Sequence, residues 1–464
     1  MTKVVYAPVK PPEIGAGRVV GYGVGDFAFN MTFTFCSLFL LYFYTDVLGL
    51  SATTGGLIIM TALIWEGITD PIVGVLANKT RSRWGRYRPY LLLGALPLAA
   101  SFVAMFIPFG LTGTALALYA FATHILFRTV YTLVNVPYIA LSAQMTTDGL
   151  VRGRLAGARM MFAIFCGLVL AGATLPLVRV LGGGTSGFFF LSLLYGMVVV
   201  AILLICFKST HEAVQVAEDH PTLSQMMRAV RSNRPFLALL AATLMGSVAY
   251  TMSGKALLYY MKYQVGSESA VTTGLVVGLM AAALSMPVWM MVTKRTSKRT
   301  VWLSGVVMTT ATSLTIYSLT PGAGPLLWLL LAIAGAGNAA FILSFWSMVP
   351  DTVEYGQLKT GVRAEGAIFG FVIFSQKMAL GLGTGLLGII LDLVGYRANE
   401  VQSPATLHGI LVMYTLVPMA LSLAAAGCIW FYRLDQSTHE RIVDLVARRR
   451  LRNRKPYLLG DIIA

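Results

Sequence analysis

The stretch IIMTALIWEGITDPIVGVLA, residues 58–77, decides the fold class. It has the length of a bilayer-spanning helix, about 20 apolar residues, yet it contains two acids, Glu66 and Asp70. A spacing of four places both carboxylates on one helix face. Because an ionised carboxylate is costly in hydrocarbon, such residues usually mark an ion or substrate path. The stretch predicts a membrane helix with a cation or proton site; acids buried against an Arg or Lys for packing alone are the alternative.

The composition extends this interpretation to the whole chain. Of its 464 residues, 57% are hydrophobic and 12% are charged, whereas a soluble domain carries about 25% charged residues. The short alternating strands of a membrane barrel are absent from the sequence, so helices are expected to span the bilayer. The chain is therefore predicted to be an all-α integral membrane protein surrounded by the lipid bilayer.

Twelve apolar segments are predicted to be transmembrane helices. Basic residues concentrate after the second, fourth, sixth and eighth segments and in the tail, so the net charge of +16 follows the positive-inside rule. We therefore expect a multi-pass protein of the cytoplasmic (inner) membrane, with both termini in the cytoplasm and no nucleic-acid partner. The segments lie at roughly 24–46, 52–78, 89–110, 113–144, 155–181, 187–208, 236–264, 270–293, 300–319, 324–350, 366–393 and 405–433.

A long polar stretch divides these segments into two sets of six. Each set has a basic turn after its second segment, TRSRWGRYR at 80–88 and TKRTSKRT at 293–300. Two six-helix halves that hold a substrate at mid-membrane are the plan of major facilitator transporters, and we expect that fold. The predicted parts are an N-terminal bundle (1–208), a cytoplasmic linker (209–235), a C-terminal bundle (236–433) and a cytoplasmic tail (434–464).

Further polar residues lie within the predicted spans. Span one carries Asp26 and Asn30, four residues apart, and span four carries Tyr131, Asn135 and Tyr138 on one helical stripe. Asn and Tyr provide hydrogen bonds for sugar hydroxyls, and Tyr adds a flat apolar face. These residues are candidates for substrate binding, with interhelical hydrogen bonding as the alternative.

Two cations lie deep in the predicted spans, Arg159 in span five and Lys377 in span eleven. Each needs an anionic partner or an anionic ligand, and the two acids of span two are candidate partners. Arg128 and His124 on span four and Lys255 on span seven either snorkel or lie in a cavity, and we assign them no role.

A charged cluster is predicted on the cytoplasmic side. Acids and an arginine flank the loop after the tenth segment, close to the basic turns. This concentration of charged residues suggests an ion-pair network at an inner gate. The alternative is a solvated loop whose ion pairs contribute little to stability. The predicted gate residues are Arg83, Arg86, Asp351, Glu354, Arg363 and Glu365.

The sequence shows no sign of an enzyme. It lacks the phosphate-binding pattern GxxxxGK[ST], a His/Cys/carboxylate cluster and a nucleophile–base set. We expect no cofactor and no metal site other than one for a coupling ion. An H⁺ or Na⁺ gradient is the simplest energy source.

Several segments together resemble the glycoside–pentoside–hexuronide:cation symporter family, which includes the melibiose carrier. The resemblance runs along almost the whole chain and implies a transporter that binds a sugar and a cation. Its strongest pieces are GYGVGDFAFN (21–30), LYFYTDVLGLS (41–51), IWEGITDPIVG (64–74), TRSRWGRYRPY (80–90), YTLVNVPY (131–138) and PDTVEYGQLKTGVRAEG (350–366).

By position, the resemblance implies a role for individual residues. Glu66 and Asp70 match cation-site carboxylates, Thr132 matches a nearby hydroxyl, and Thr69 stands where the melibiose carrier has Asn. Lys377 and Arg159 match functional cations. The residues on sugar-site positions are Tyr131, Asn135 and Asn30.

The departures from the melibiose carrier suggest a different sugar. Asn30 and Asn135 stand where that carrier has Asp, and Ile139 and Ile342 where it has Trp. Fewer carboxylates beside retained cations favour an anionic sugar, and segments such as CFKSTHE (206–212) resemble the β-glucuronide carrier branch. We expect a monomeric symporter that imports a glucuronide or related glycoside by alternating access. A lipid or lysolipid transporter on the same fold and a non-transporting membrane sensor are the alternatives.

Overall fold

The structure is a computed structural model that describes residues 14–107, 109–146, 149–212, 223–362 and 364–432, with a few positions between 434 and 445. Its regular structure is helical, so the predicted all-α class is confirmed. The chain divides into two compact units, one ending at residue 218 and the other beginning at residue 219. Most of the predicted tail and part of the predicted linker lie outside the described residues.

The first unit is a bundle of long helices. The first helix packs against the fifth and sixth, the second against the fourth, and the third against the fourth and sixth. These contacts decide which polar side chains meet. The helices are α1 (Ala16–Tyr42), α2 (Ala52–Lys79), α3 (Arg88–Ala104), α4 (Gly113–Met145), α5 (Gly149–Val180) and α6 (Gly184–Ser209).

The second unit has a short polar helix followed by a second bundle. The helices are α7 (Leu223–Ser232), α8 (Arg234–Tyr259), α9 (Glu268–Arg295), α10 (Lys298–Leu319), α11 (Pro325–Thr360), α12 (Glu365–Leu393), α13 (Pro404–Tyr414) and α14 (Leu416–Trp430). Helix α8 packs against α12 and α14, α9 against α11, and α10 against α11 and α14. With α8–α12 as counterparts of α1–α5 and α14 as that of α6, the pairings of the first unit recur here.

A backbone feature supports this duplication. The tripeptide LLY precedes a π-helical turn in both units, Phe43–Val47 after α1 and Tyr260–Gln264 after α8. Each turn closes with an N–H bonded to the carbonyl five residues earlier, at 2.9 and 3.0 Å. A glycine with positive φ follows each turn, Gly49 at 75° and Gly266 at 73°, where a side chain would be strained. The weak sequence repeat therefore corresponds to a repeated structure.

Ten helices among the described residues are long and apolar enough to cross a membrane. They account for ten of the twelve predicted segments. Of the other two, Arg88–Ala104 is shorter, and Lys298–Leu319 is rich in Thr and Ser. Large apolar side chains such as Leu93, Leu96 and Leu118 are exposed. Such exposure is expected in a lipid bilayer, where each helix satisfies the hydrogen bonds of its own backbone.

Two helix boundaries differ from prediction. The prediction ends helix α11 at residue 350, but the helix continues to Thr360. Asp351, Thr352 and Val353 are buried within the second unit, which favours the longer helix. The last predicted span, 405–433, is interrupted at Thr415. Pro418 lacks an N–H and its ring clashes with the carbonyl four residues earlier, which explains the break.

Candidate functional site

The two acids of α2 lie against α4 but differ in their surroundings. Glu66 is fully buried, and its Oε2 lies 2.9 Å from Nη1 of Arg128, whose exposed fraction is 1%. Arg128 also donates from Nε to Nε2 of His124 at 3.0 Å and lies over the Phe33 ring at 5.1 Å. The charge of Glu66 is therefore balanced inside the unit.

The sequence contained a signal for this group. Arg128 and His124 are four residues apart and so share a helix face. Their partner could not be identified before the pairing of α2 with α4 was known. Glu66 is thus buried against an arginine, as the alternative interpretation of span two has it, and its role in transport stays a prediction.

Asp70 has a different environment. It is half-buried, and its Oδ1 accepts a hydrogen bond from Oγ1 of the buried Thr132 at 2.9 Å. The hydroxyl of Thr69 donates to its own helix, to the carbonyls of Trp65 at 3.0 Å and Glu66 at 3.1 Å. The structure thus brings Asp70 and Thr132 together, as the predicted cation site requires. The hydroxyl proton of Thr69 points to the backbone.

The second charged group joins α1 to α5. Nε and Nη2 of Arg159 both donate to Oδ1 of Asp26, at 3.0 and 2.9 Å. The two side chains are 22% and 12% exposed. Asn30 donates from Nδ2 to the Asp26 carbonyl at 2.9 Å. The acids of span two, named as candidate partners of Arg159, were the wrong candidates, because α5 packs on α1, which carries Asp26.

The predicted stripe on α4 is partly sealed. Tyr138 is fully buried, and its hydroxyl donates to the Tyr22 carbonyl at 2.8 Å while the Tyr22 hydroxyl donates back to the Tyr138 carbonyl at 3.2 Å. Tyr138 was predicted to touch the substrate, but its side chain has no exposed surface in this structure. Its ring lies 5.1 Å from the Arg159 guanidinium. Tyr131 is buried edge-on to a phenylalanine, and Asn135 is half-buried.

The predicted gate residues fall in both units. In the first unit, Arg83 lies over the Trp84 ring at 4.3 Å. The backbone N–H of Arg86 donates to Oε2 of Glu212 at 2.7 Å, and two following N–H groups donate to Oε1. Glu212 was missed, because nothing in the sequence places the end of α6 beside this loop.

In the second unit, Asp351 is buried and pairs with Lys298, whose Nζ donates to both carboxylate oxygens at 2.7 and 2.8 Å. Glu354 is half-buried and Glu365 lies exposed in the first turn of α12. Lys377 is half-buried on α12. The remaining predicted gate residue, Arg363, lies outside the described residues, and the gate itself stays a prediction.

Comparison with known proteins agrees with this architecture. The chain is 33% identical to an uncharacterized symporter, YnaJ, of Bacillus subtilis (strain 168), with 97% of each chain covered. It is 30% identical to the glucuronide carrier protein homolog of Escherichia coli (strain K12), over 96% of this chain and 98% of that protein. The crystal structure of a D-xylose-proton symporter matches with a TM-score of 0.65 at 13% identity, over 90% of this chain and 97% of that one. That likeness shows a shared fold.

The family itself is shown by a broader match. A family model described as MFS/sugar transport protein matches residues 21–436. The predicted major facilitator fold and the predicted family resemblance are therefore confirmed, and the matched proteins are carriers and symporters, not enzymes. The chain is a multi-pass integral membrane protein that belongs to the MFS/sugar transport protein family.

Proposed function

We propose that this protein is a cation–sugar symporter that imports a glycoside bearing a carboxylate, a glucuronide or a related glycoside, by alternating access. The observation that carries the proposal is the Arg159–Asp26 pair between two membrane-spanning helices, α1 and α5. Two nitrogens of the guanidinium, Nε and Nη2, donate to one oxygen of Asp26, and the Arg159 side chain is 22% exposed. A charge kept at such a place in a membrane protein usually serves a ligand or ion path.

The anionic substrate follows from the charges near this pair. Asn30 donates to the Asp26 carbonyl. An amide therefore lies beside the acid that pairs with Arg159, at a position where, by the resemblance, the melibiose carrier has a carboxylate. Asn135 replaces another carboxylate on α4. With Lys377 as a further cation, the predicted sugar-site residues favour a carboxylate on the ligand. The relative named a glucuronide carrier protein homolog supports the same substrate class.

The coupling ion, H⁺ or Na⁺, is assigned to the acids of α2. The Asp70–Thr132 contact supports this assignment, because a half-buried carboxylate with a hydroxyl beside it can take a cation from water. Bound cation lowers the negative charge of the site, so cation and anionic sugar bind cooperatively. We further propose an inner-membrane protein, monomeric, with both termini in the cytoplasm, as the distribution of basic residues indicates.

Uptake by purified protein in liposomes tests the substrate. A panel of a glucuronide, melibiose and a lysolipid is offered with an imposed H⁺ or Na⁺ gradient. We expect the glucuronide to accumulate and melibiose to be taken up poorly. Preference for melibiose would remove the anionic-sugar argument. Flux of the lysolipid alone, or no flux of any compound, would favour the lipid transporter or the sensor.

Asp70→Asn tests the coupling. The variant should lose gradient-driven accumulation and keep exchange of labelled for unlabelled sugar, because the sugar site is unchanged. Glu400→Gln is the matched control, since it also removes one carboxylate charge, from a side chain that is 60% exposed. Full accumulation by Asp70→Asn would refute the coupling role.

A further inference from the structure

The two units share a contact between an arginine and an aromatic ring at the same place in their bundles. In the first unit, Cζ of Arg88 at the start of α3 lies 4.5 Å from the centre of the Phe207 ring near the end of α6. In the second unit, Cζ of Arg299 at the start of α10 lies 4.7 Å from the centre of the Trp430 ring at the end of α14. Because α10 and α14 are the counterparts of α3 and α6, the two contacts are equivalent.

In the first unit this contact lies beside an anion that the chain itself supplies. The Glu212 carboxylate accepts hydrogen bonds from the backbone N–H groups of residues 86–88, at 2.7, 2.8 and 3.1 Å. Gly85 has a φ of 105°, and a Cβ there would lie 2.5 Å from the carboxylate carbon of Glu212. The loop before α3 is therefore shaped to hold a carboxylate, and its anion is in place.

The turn between α9 and α10 is the equivalent in the second unit, and it carries an excess of positive charge. Of its four cations, Lys298 pairs with Asp351 at 2.7 Å. The other three, Lys294, Arg295 and Arg299, form no ion pair within the part of the chain that the structure describes. Lys294 and Arg295 are exposed. Three positive charges are thus available to a ligand from outside the chain.

Apolar side chains are exposed beside these cations. Trp430 is 64% exposed and Phe431, which follows it, is 75% exposed. On α9, the exposed Met291 lies one turn before Arg295. Because Trp rings at the ends of membrane helices lie at the level of the lipid headgroups, the stack on Trp430 holds Arg299 at that depth. A guanidinium there can donate two parallel hydrogen bonds to one phosphate group.

The chemistry of this surface selects its ligand. In the topology proposed above, the α9–α10 turn lies on the cytoplasmic side of the membrane. The inner leaflet contains anionic phospholipids, which attract basic segments. A phospholipid brings an anionic headgroup for the cations and acyl chains for the apolar side chains, whereas a soluble phosphate ion matches the cations alone.

We propose that the α9–α10 turn and the end of α14 bind the headgroup of an anionic phospholipid, which supplies the anion that Glu212 supplies in the first unit. Ser297 caps α10 through the N–H of Thr300 at 3.0 Å. The lipid phosphate therefore binds the Arg299 guanidinium and not the backbone of α10. The inference goes beyond the proposed transport: it uses the proposed topology, and neither the sugar nor the coupling ion takes part.

The first test uses the unaltered protein in detergent. Its melting temperature is measured with phosphatidylglycerol, with phosphatidylcholine or with inorganic phosphate, at equal phosphate concentration. We expect phosphatidylglycerol alone to stabilise the protein, by at least about 2 °C, because phosphatidylcholine has no net charge and inorganic phosphate has no acyl chains. Equal effects of the two lipids, no effect of either, or stabilisation by inorganic phosphate would overturn the inference.

The second test locates the lipid. Native mass spectrometry measures the affinity for phosphatidylglycerol of Arg299→Gln and of Lys294→Gln/Arg295→Gln. Each removed charge should weaken binding about fivefold. Arg228→Gln is the matched control, since it removes one positive charge from an exposed side chain of α7, on the same side of the membrane in the proposed topology. The control should bind the lipid as tightly as the unaltered protein.

The variants separate a defined site from general attraction to a basic surface. An equal loss of affinity in Arg228→Gln and Arg299→Gln would show diffuse attraction and would overturn the site. If Arg299→Gln does not fold, the double variant decides, because its two side chains are exposed; unchanged affinity there would contradict the proposal. No sugar is present in either test, so failure of the lipid site leaves the proposed symport intact, and absence of glycoside flux leaves the lipid site intact.

Discussion

Helix packing in the second unit gives a prediction whose size can be worked out. Gly335 on α11 faces Gly278 on α9, and a Cβ built on Gly335 would lie 3.0 Å from the carbonyl carbon of Gly278 and closer still to its oxygen. Carbon atoms in contact are normally about 3.5–4.0 Å apart. Gly335→Ala therefore requires the two helices to separate by about 0.5–1 Å, because the obstacle is backbone that cannot rotate away.

Gly278→Ala is the matched control. It changes the same residue type in the same pair of helices, but a Cβ on Gly278 would meet no atom within 4 Å. Alanine favours a helix over glycine by about 1 kcal/mol, and this gain is common to both variants. Overpacking costs about 1–3 kcal/mol. The difference in unfolding free energy between the two variants should therefore be about 1–3 kcal/mol, with Gly335→Ala the less stable.

Thermal unfolding in detergent measures this difference. Tryptophan fluorescence reports mainly on the second unit, because five of the seven tryptophans lie there, among them the fully buried Trp302 on the neighbouring α10. A change of 1 kcal/mol moves the melting temperature of a domain of this size by about 2–4 °C, so Gly335→Ala should melt several degrees below Gly278→Ala. Equal melting temperatures, or a more stable Gly335→Ala, would show that α9 and α11 do not approach this closely.

Four further predictions concern polar contacts. Glu212→Ala removes the acceptor of three backbone N–H groups in the loop after α2 and should cost about 1–3 kcal/mol; limited trypsin digestion should cut that loop faster, and unchanged cleavage would contradict the contact. Asp351→Asn should lower stability by about 1–3 kcal/mol in a melting assay, because Lys298 loses a buried anion. Arg397→Gln, from a pair that is 3.8 Å apart and exposed, should change stability by less than about 0.5 kcal/mol. Tyr138→Phe should cost about 1 kcal/mol without raising the KM for uptake, because the side chain is sealed; a raised KM at unchanged melting temperature would restore it to the sugar site.

The local sequence pattern was enough to predict most helices, and the family resemblance implied one polar contact. The apolar segments correspond to helices because bilayer-length runs leave no other way to satisfy the backbone. Asp70 and Thr132 meet as the family resemblance implied. The break at Thr415 could not have been predicted from Pro418 alone, because α2, α4, α9 and α11 each continue through an internal proline. The π-helical turns could not be predicted, because the spacing of apolar residues does not distinguish a single π-helical turn from an ordinary α-helical one.

Which charged residues form ion pairs could not be predicted from the sequence, for a different reason. The acids of α2 and the cation Arg159 are all present in the sequence, but which of them pair depends on which helices touch. Asp26 is the partner of Arg159 because α1 packs on α5, and Arg128 is the partner of Glu66 because α4 packs on α2. One sequence without relatives contains no information on helix neighbours beyond loop length, so the ion pairs required the structure.

A comparison of α2 with its counterpart in the second unit indicates why α2 contains acids. Helices α2 and α9 each contain an internal proline, as do α4 and α11, and each pair packs in the same way. Aligned on those prolines, Ala282 and Met286 stand for Glu66 and Asp70.

On α11, Phe341 and Phe345 stand for Arg128 and Thr132 in the same alignment. The second unit thus has apolar side chains at all four aligned positions, and replacing a buried ion pair by apolar groups is often neutral or stabilising. Packing alone therefore does not require Glu66, Asp70 and Arg128. Their presence in one unit and not in its counterpart is the asymmetry expected if the first unit binds the coupling ion and the second serves as its apolar counterpart.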